Sequence, residues 1–141
     1  MVDTSNVFAK YHTPTGNEFY DKALYIKREL TRLVMNEKVV PKRYRFVYSI
    51  PIINKVTELL GWITAEITLY PTSEALVEKK KEIWYKALIC NEQIIQMVQD
   101  MIFVLPTAKP DKFEQVGEAM IEESKILREC RKNTKLQKSG Q

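Results

Sequence analysis

The sequence predicts an all-α fold, an antiparallel up-down-up-down bundle of four helices. Apolar residues recur at alternating steps of three and four along four separate segments, which is typical of amphipathic helices. The 141 residues include only four glycines and six prolines, so few positions interrupt a helix. The connections between the four segments are short, and short connections place successive helices side by side.

The length and composition fit one domain. The chain is 45% apolar and 28% charged, as in folded proteins. We expect a flexible segment over residues 1–16, the bundle over 17–132 and a basic, disordered tail over 133–141. The N-terminus lacks the basic and apolar regions of a signal peptide, and no apolar stretch approaches the roughly 20 residues that span a bilayer. A cytoplasmic protein without a membrane partner is therefore predicted.

The first helix is predicted from about residue 17 to Asn36, with Thr15 or Asn17 as its cap. One stripe of apolar side chains runs along it. Its members are Phe19, Ala23, Ile26, Leu30 and Leu33.

The second helix is predicted to begin with Pro41 in its first turn, where the missing N–H costs nothing, and to end at Tyr70, before Pro71. The interior Pro51 should either kink this helix or mark where a separate short turn gives way to the core helix. The predicted stripe comprises Phe46, Ile50, Ile53, Val56, Leu60, Ile63 and Ile67.

The third and fourth helices follow Ser73 and a loop with Asp111 as a candidate cap, and the fourth should end near Arg131. The third stripe is nearly continuous for four heptads. It comprises Leu76, Ile83, Ala87, Cys90, Ile94, Met97, Met101 and Val104. The fourth comprises Phe113, Val116, Met120, Leu127 and Cys130.

Basic residues are concentrated in two segments of a chain whose net charge is +4. Residues 38–57 hold five bases and no acid. Lys42, Arg43 and Arg45 lie there beside an i, i+4 pair of tyrosines, Tyr44 and Tyr48, and such interleaving suits RNA or single-stranded DNA because cations neutralise phosphates while rings stack on bases. A merely solvated helix start explains the same residues equally well.

Other candidate residues follow from charge and aromatic character. Arg28 with Arg32, and Arg128, Arg131 and Lys132 in the basic C-terminal segment, are further candidates for nucleic-acid binding. Lys79 to Lys81 are interpreted as a solvated run because Glu78 and Glu82 flank them. Candidate interface residues are Trp62, Trp84, Tyr44 and Tyr48. Each tryptophan lies beside an apolar stripe, so completing the edge of the core is the alternative role for both.

Material for catalysis is scarce. His12 is the only histidine, the glycines are isolated, and Cys90 and Cys130 lie on apolar stripes forty residues apart. We therefore predict no catalytic residue, metal or cofactor, and a reducing compartment. An enzyme that uses surface carboxylates is a third, less favoured hypothesis. Carboxylates interpreted as lying off the stripes include Glu58, Glu66, Glu92 and Asp100.

The order of short motifs adds a resemblance. P-K-x-x-R (Pro41, Lys42, Arg45) opens the second helix, and A-x-x-x-x-Y-P-T-S closes it over residues 65–73. Over residues 17–132 the chain thus resembles the four-helix-bundle family of accessory variability determinant (Avd) proteins of diversity-generating retroelements and the related proteins encoded in intervening sequences of bacterial 23S ribosomal RNA genes. The ending ILRECRKN departs from the small-residue and tryptophan ending of many Avd-like chains.

The resemblance implies a pentameric ring with a basic surface that binds a reverse transcriptase and its RNA, without a catalytic centre. It places Lys42 and Arg45 in the family's basic opening of helix two, and Arg43 only by proximity. The leading hypothesis is therefore a non-enzymatic accessory protein of a reverse-transcriptase system, with RNA, and DNA as a further candidate, as its partner. The alternative is a bundle that makes protein contacts alone, with Ile52 and Leu59 beside the two tryptophans.

Overall fold

The computed structural model describes residues 17–137; the predictions for residues 1–16 and for the last four residues of the tail lie outside this range. Within it the chain forms four α-helices and no strand, which confirms the all-α prediction. They are α1 (Glu18–Val34), α2 (Ile50–Thr68), α3 (Glu74–Val104) and α4 (Glu114–Lys132). Each helix packs against the next, and α4 also contacts α1, as a four-helix bundle requires.

The helix α1 agrees closely with its prediction. The carbonyl of Asn17 accepts the backbone N–H groups of Tyr20 and Asp21 at 3.1 and 3.0 Å, which starts the helix there. Four of the five residues of the predicted stripe are buried, and the fifth, Phe19, packs at the edge of the core. The helix ends at Val34, two residues before the predicted end.

The start of α2 differs from its prediction. Pro41 is followed by a 3-10 turn (Lys42–Tyr44) and a π-helical turn (Arg45–Ser49), and regular α-helix begins only at Ile50. Pro51 thereby falls in the first turn of α2, directly after the π-helical turn. Of the two predicted roles for Pro51, the structure agrees with the separate turn that gives way to the core helix.

The buried face of α2 is shifted by one position from the predicted stripe. Ile52 and Leu59 are fully buried, so the hypothesis that they serve an interface outside the core is wrong. The predicted Phe46 is instead 83% exposed, and Ile50 and Ile67 are 41% and 40% exposed. The complete buried set is Ile52, Val56, Leu59, Ile63 and Glu66. The fold buries this face of α2 although it includes a glutamate.

The helix α3 follows Ser73 as predicted, and the Ser73 hydroxyl caps it by accepting the N–H of Leu76 at 3.2 Å. Most of its predicted stripe is buried, although Val104 is 49% exposed. Before α4, a 3-10 turn over Pro110–Phe113 replaces the predicted cap at Asp111, and Phe113 is the residue that precedes the helix. None of the helices between residues 17 and 137 is both long and apolar enough to cross a membrane.

Polar residues inside the core connect α3 to α4. Asn91 is fully buried, and its side-chain NH₂ donates to the carbonyl of Met120 and to the hydroxyl of Ser124, both at 2.8 Å. These two bonds form at only one axial position of the two helices, while the buried Oδ1 of Asn91 has no hydrogen-bond partner among residues 17–137. Asn91 therefore sets the register of α3 against α4.

Candidate nucleic-acid interface

A groove with many basic side chains lies between the first half of α3 and the last turns of α4. It consists of two adjoining hollows of about 570 and 360 Å³, which share Lys81 and Arg131. We call it the basic groove. Its lining consists of five basic residues, two acidic ones and three others: Lys79, Lys81, Arg128, Arg131 and Lys132, then Glu78 and Glu82, then Ala75, Tyr85 and Leu88.

Helical periodicity on both sides directs these residues into the groove. On α4, Arg128, Arg131 and Lys132 stand at i, i+3 and i+4 and so share one face. On α3, Lys81 and Tyr85 are four residues apart and likewise share a face. The two faces meet where α3 packs on α4, in the alignment in which Asn91 bonds to Met120 and Ser124.

Two contacts hold the α4 side chains against α3. The guanidinium of Arg131 lies over the ring of Tyr85, 4.8 Å from its centroid, and Arg128 Nη2 lies 2.8 Å from the Oε1 atom of Glu92. The Arg128–Glu92 pair is exposed on both sides and is therefore weak. Arg131, Lys132 and Lys81 have no acidic partner within 4 Å among residues 17–137, although the carboxylates of Glu78 and Glu82 also line the larger hollow.

The predicted basic segment at the start of helix two has a different environment. Lys42 Nζ and Arg45 Nη2 lie 3.9 and 3.3 Å from Glu37 Oε1, an acid that precedes residues 38–57 by one position. Arg43 lies 4.9 Å from the centroid of the Tyr44 ring. Two of the three predicted cations are thus already paired with an acid.

The two tyrosines of this segment serve the core more than the surface. Tyr44 and Tyr48 are half-buried and pack against buried apolar residues. On α1, Arg32 bonds to Glu29, while Arg28 is exposed. Neither arginine lines the basic groove, so the structure does not join the predicted candidates into one surface.

The two tryptophans have different environments. Trp84 is only 4% exposed and packs edge-on against Phe19, with ring centroids 5.0 Å apart. It belongs to the core, and its predicted role at an interface is wrong because almost none of it reaches the surface. Trp62 is half-buried, with Lys86 Nζ 5.0 Å from its ring centroid.

Two glutamates are fully buried, one on α2 and one on α4. Glu66 and Glu123 are 0% exposed, and their carboxylate oxygens have no hydrogen-bond partner among residues 17–137. Burial raises the pKa of each to about 8, against the opposing charges of Lys80 for Glu66 and Lys22 for Glu123. Both groups therefore hold a proton at neutral pH. The interpretation of Glu66 as lying off the apolar stripe is wrong.

Lys80 forms hydrogen bonds to the C-terminal end of α2. Its ammonium donates to the carbonyls of Glu66 and Leu69, both at 2.9 Å, and lies 4.0 Å from Glu66 Oε2. These carbonyls belong to the last turn of α2 and the residue after it, where few helical N–H groups are available, although the Glu66 carbonyl also accepts the N–H of Leu69 at 3.4 Å. The middle lysine of the predicted solvated run is thus a structural residue, while Lys79 and Lys81 face the groove.

The two cysteines are protonated thiols. Burial and the neighbouring Glu58, to which Cys90 Sγ lies at 3.1 Å, raise the pKa of Cys90 to about 12. Burial and the charge of Glu123 raise the pKa of Cys130 to about 11. Since the thiolate is the reactive form, neither thiol is activated as a nucleophile. Among residues 17–137, no group of three or more His, Cys, Asp or Glu side chains is arranged to hold a metal ion.

Sequence reasoning identified the α4 side of the groove but missed the α3 side. Arg128, Arg131 and Lys132 were candidates, whereas Lys81 and Tyr85 were not. The available signal is that Lys81 and Tyr85 are one turn apart on a strongly periodic helix. Only the packing of α3 on α4 shows that this turn faces the basic end of α4.

Comparison with known proteins does not assign the chain to a family. The sequence matches no protein-family model, and it has no significant match among curated proteins or solved structures. The function of the basic groove must therefore follow from its own residues.

Proposed function

We propose that this protein is a non-enzymatic nucleic-acid-binding protein and that the basic groove is its binding surface. One observation carries the proposal: Lys81, Arg128, Arg131 and Lys132 converge from two helices on adjoining hollows, and three of these four have no acidic partner in the described chain. Unpaired cations along a groove favour a polyanion, because each phosphate contact releases a condensed counterion.

The dimensions of the groove support an extended ligand. Its hollows follow α3 from Ala75 to Leu88. At 1.5 Å of rise per residue, this distance is roughly 20 Å. Several consecutive phosphates of a nucleic-acid strand can contact a surface of that length, whereas a single small anion would use only a fraction of it.

We further propose the more specific role that the resemblance to Avd-like proteins implies, an accessory protein of a reverse-transcriptase system that binds the enzyme and its RNA. This role rests on the motifs around Pro41 and Tyr70, and so does assembly of the bundles into a pentameric ring. The antiparallel order of the helices is supported by two contacts: Cys90 Sγ to the carbonyl of Lys55 at 3.2 Å and Lys80 Nζ to that of Glu66 at 2.9 Å. Residue numbers fall along α2 as they rise along α3.

A second candidate function, a bundle that makes protein contacts alone, is favoured by two exposed aromatic side chains. Phe46 is 83% and Phe103 90% exposed, and exposed aromatic side chains of this kind can anchor a contact with another protein. They replace the predicted contacts at Trp84, Ile52 and Leu59, which are buried. Retention of RNA by the basic groove would separate the first candidate from the second.

The test is a binding titration with a labelled RNA of about 20 nucleotides at about 50 mM salt, followed by fluorescence anisotropy. The variant Arg131→Glu with Lys132→Glu should bind on the order of 100-fold more weakly, because two phosphate contacts are lost and two repulsive charges are added. The matched control is Lys109→Glu with Lys112→Glu, which changes the net charge equally at exposed positions outside the groove.

The control variant should bind RNA less than about threefold more weakly than the wild-type protein, since charges outside the contact surface act only through the screened overall field. Thermal unfolding of both variants, followed by circular dichroism, checks that the bundle is intact. Equal losses in the two variants, or no binding by the wild-type protein, would contradict the proposal.

A further inference from the structure

We infer that the basic groove binds a single nucleic-acid strand, with the phosphates on its α4 side and the bases on its α3 side. This inference rests on the proposed function and adds the form of the nucleic acid and its orientation. The structural reason is that the two sides of the groove differ in charge and in aromatic character.

The α4 side is wholly cationic. Arg128, Arg131 and Lys132 are the residues that α4 contributes to the two hollows, and none of the described α4 residues that line them is acidic. Arginine and lysine side chains at i, i+3 and i+4 form a continuous strip along one face of the helix. Such a strip matches the regularly spaced charges of a phosphate backbone.

The α3 side is neutral overall. Lys79 and Lys81 are balanced there by Glu78 and Glu82, which line the larger hollow. Phosphates near these carboxylates would be repelled. The exocyclic amino groups of bases, in contrast, donate hydrogen bonds to carboxylates, as cytosine N4 does to glutamate.

Tyr85 supplies an aromatic surface on the same side. Its side chain is 46% exposed, and the guanidinium of Arg131 covers its ring at 4.8 Å. Stacking of a base on an aromatic ring is worth about 1 to 3 kcal/mol and tolerates every base, because each has a π-face. An incoming base replaces the guanidinium on the ring, and the released guanidinium remains within reach of the phosphate attached to that base.

A duplex does not fit this arrangement. Its bases are stacked and paired inside, so they cannot reach Tyr85, and its two backbones would place phosphates against both sides of the groove. One of those backbones would face Glu78 and Glu82. A single strand avoids both penalties because its bases and its phosphates can point to opposite sides.

The experiment compares binding of single strands and of duplexes of one sequence, each about 20 nucleotides long, to the wild-type protein, Tyr85→Leu and Tyr85→Phe. We expect the wild-type protein to bind the single strand at least about 10-fold more tightly than the duplex. Tyr85→Leu should bind the single strand roughly 10-fold more weakly without a change in the salt dependence of binding, because a stacking contact and no phosphate contact is lost. Tyr85→Phe retains the ring and should bind within about twofold of wild type.

The possible failures are distinguishable. Equal binding of duplex and single strand, or unchanged single-strand binding by a folded Tyr85→Leu, overturns the inference while the proposed function stands. A failure of wild-type protein to bind either nucleic acid overturns both. If Tyr85→Leu does not fold, equal affinity of Tyr85→Phe and wild type together with a preference for the single strand still supports the inference, and a preference for the duplex overturns it.

Discussion

Two basic surfaces of the molecule differ in how their charges come together. In the segment after Pro41, Lys42 and Arg45 are close in sequence, and both are within 4 Å of Glu37. In the basic groove, Lys81 and Arg131 are fifty residues apart in sequence, and neither has an acidic partner in the described chain. Charges that are dense in sequence also have local acids within reach, whereas charges that meet through tertiary packing can remain available to a ligand.

The hydrogen bonding of buried polar groups also differs between the two ends of α2. Near the start of α2, the buried Ser49 hydroxyl donates to the carbonyl of Val34 at 2.6 Å, so this polar group is satisfied. At the other end of α2, Glu66 is buried without a hydrogen bond to its carboxylate, and Glu123 has the same environment on α4. The stability of the part that holds Glu66 and Glu123 should therefore respond to pH, and that of the start of α2 should not.

The largest expected effect concerns the two buried carboxyls. Each has a pKa of about 8 in the folded protein and an ordinary value of 4.5, so the folded state binds more protons between these values. The stability that this contributes is complete below pH 4.5 and is lost as pH rises through about 8. Since one pKa unit corresponds to about 1.4 kcal/mol, the two groups together should account for several kcal/mol of stability between about pH 5 and about pH 9.

The double variant Glu66→Gln with Glu123→Gln should remove most of this loss, because a neutral amide does not ionise. Urea unfolding at both pH values measures it. Glu118→Gln, at an exposed position of α4, is the control and should leave the pH dependence as it is. A double variant with the full wild-type pH dependence would show that the buried carboxyls do not distinguish the two regions.

The next effect concerns Lys80. Lys80→Met keeps an unbranched side chain but removes the donors to the carbonyls of Glu66 and Leu69, which should destabilise the protein by about 2 kcal/mol. Urea unfolding at neutral pH measures the loss. The neighbouring Lys79→Met changes an exposed lysine and should be nearly neutral. Equal stability of the two variants would mean that Lys80 does not secure this end of α2.

A smaller effect is expected in the segment after Pro41. The variant Lys42→Glu with Arg45→Glu should weaken RNA binding by less than about threefold, because Glu37 already neutralises part of this charge. Anisotropy titration beside the groove variant Arg131→Glu with Lys132→Glu gives a direct comparison. If both variants bound RNA about 100-fold more weakly, the two surfaces would contribute equally to binding, and the proposed difference between them would be wrong.

The smallest expected effect is a difference between the two surfaces in the salt dependence of RNA binding. Arg131→Gln should reduce the slope of log K against log salt by about 0.7 for a single strand, the value of one phosphate contact. Arg45→Gln should leave the slope unchanged. Titrations at several salt concentrations measure both slopes. A reduced slope for Arg45→Gln would place this arginine on the phosphate backbone.

The prediction of α2 shows where periodicity is insufficient. Its apolar residues occur in adjacent pairs, Ile52 with Ile53 and Leu59 with Leu60, so two stripes have the same period. The stripe through Ile53 contains no charge, whereas the one that the fold buries includes Glu66. Sequence reasoning therefore selects a stripe of which only Val56 and Ile63 are fully buried, because the packing of α1 and α3 against α2 determines which face is inside.

Only the α4 side of the groove is predicted from the sequence, for a related reason. The excess of bases near Arg128 and Arg131 is visible in the sequence, because a single acid interrupts it after residue 124. On α3, Glu78 and Glu82 flank the lysines and favour the interpretation of a solvated run. Whether Lys81 faces solvent or α4 depends on how the two helices are rotated and aligned, and that information lies in the packing of the whole bundle.

The Asn91 amide has a consequence for this alignment. A slip of α4 along α3 by one turn, about 5.4 Å, would leave the apolar contacts largely intact but would separate the amide from Met120 and Ser124. The same slip would move Arg131 off the ring of Tyr85. A leucine at position 91 would allow several such alignments at little energetic difference, so the chain would lose a single ligand-binding geometry before it lost its fold. One side-chain amide thus sets the spacing between cation and aromatic ring nearly two helical turns away.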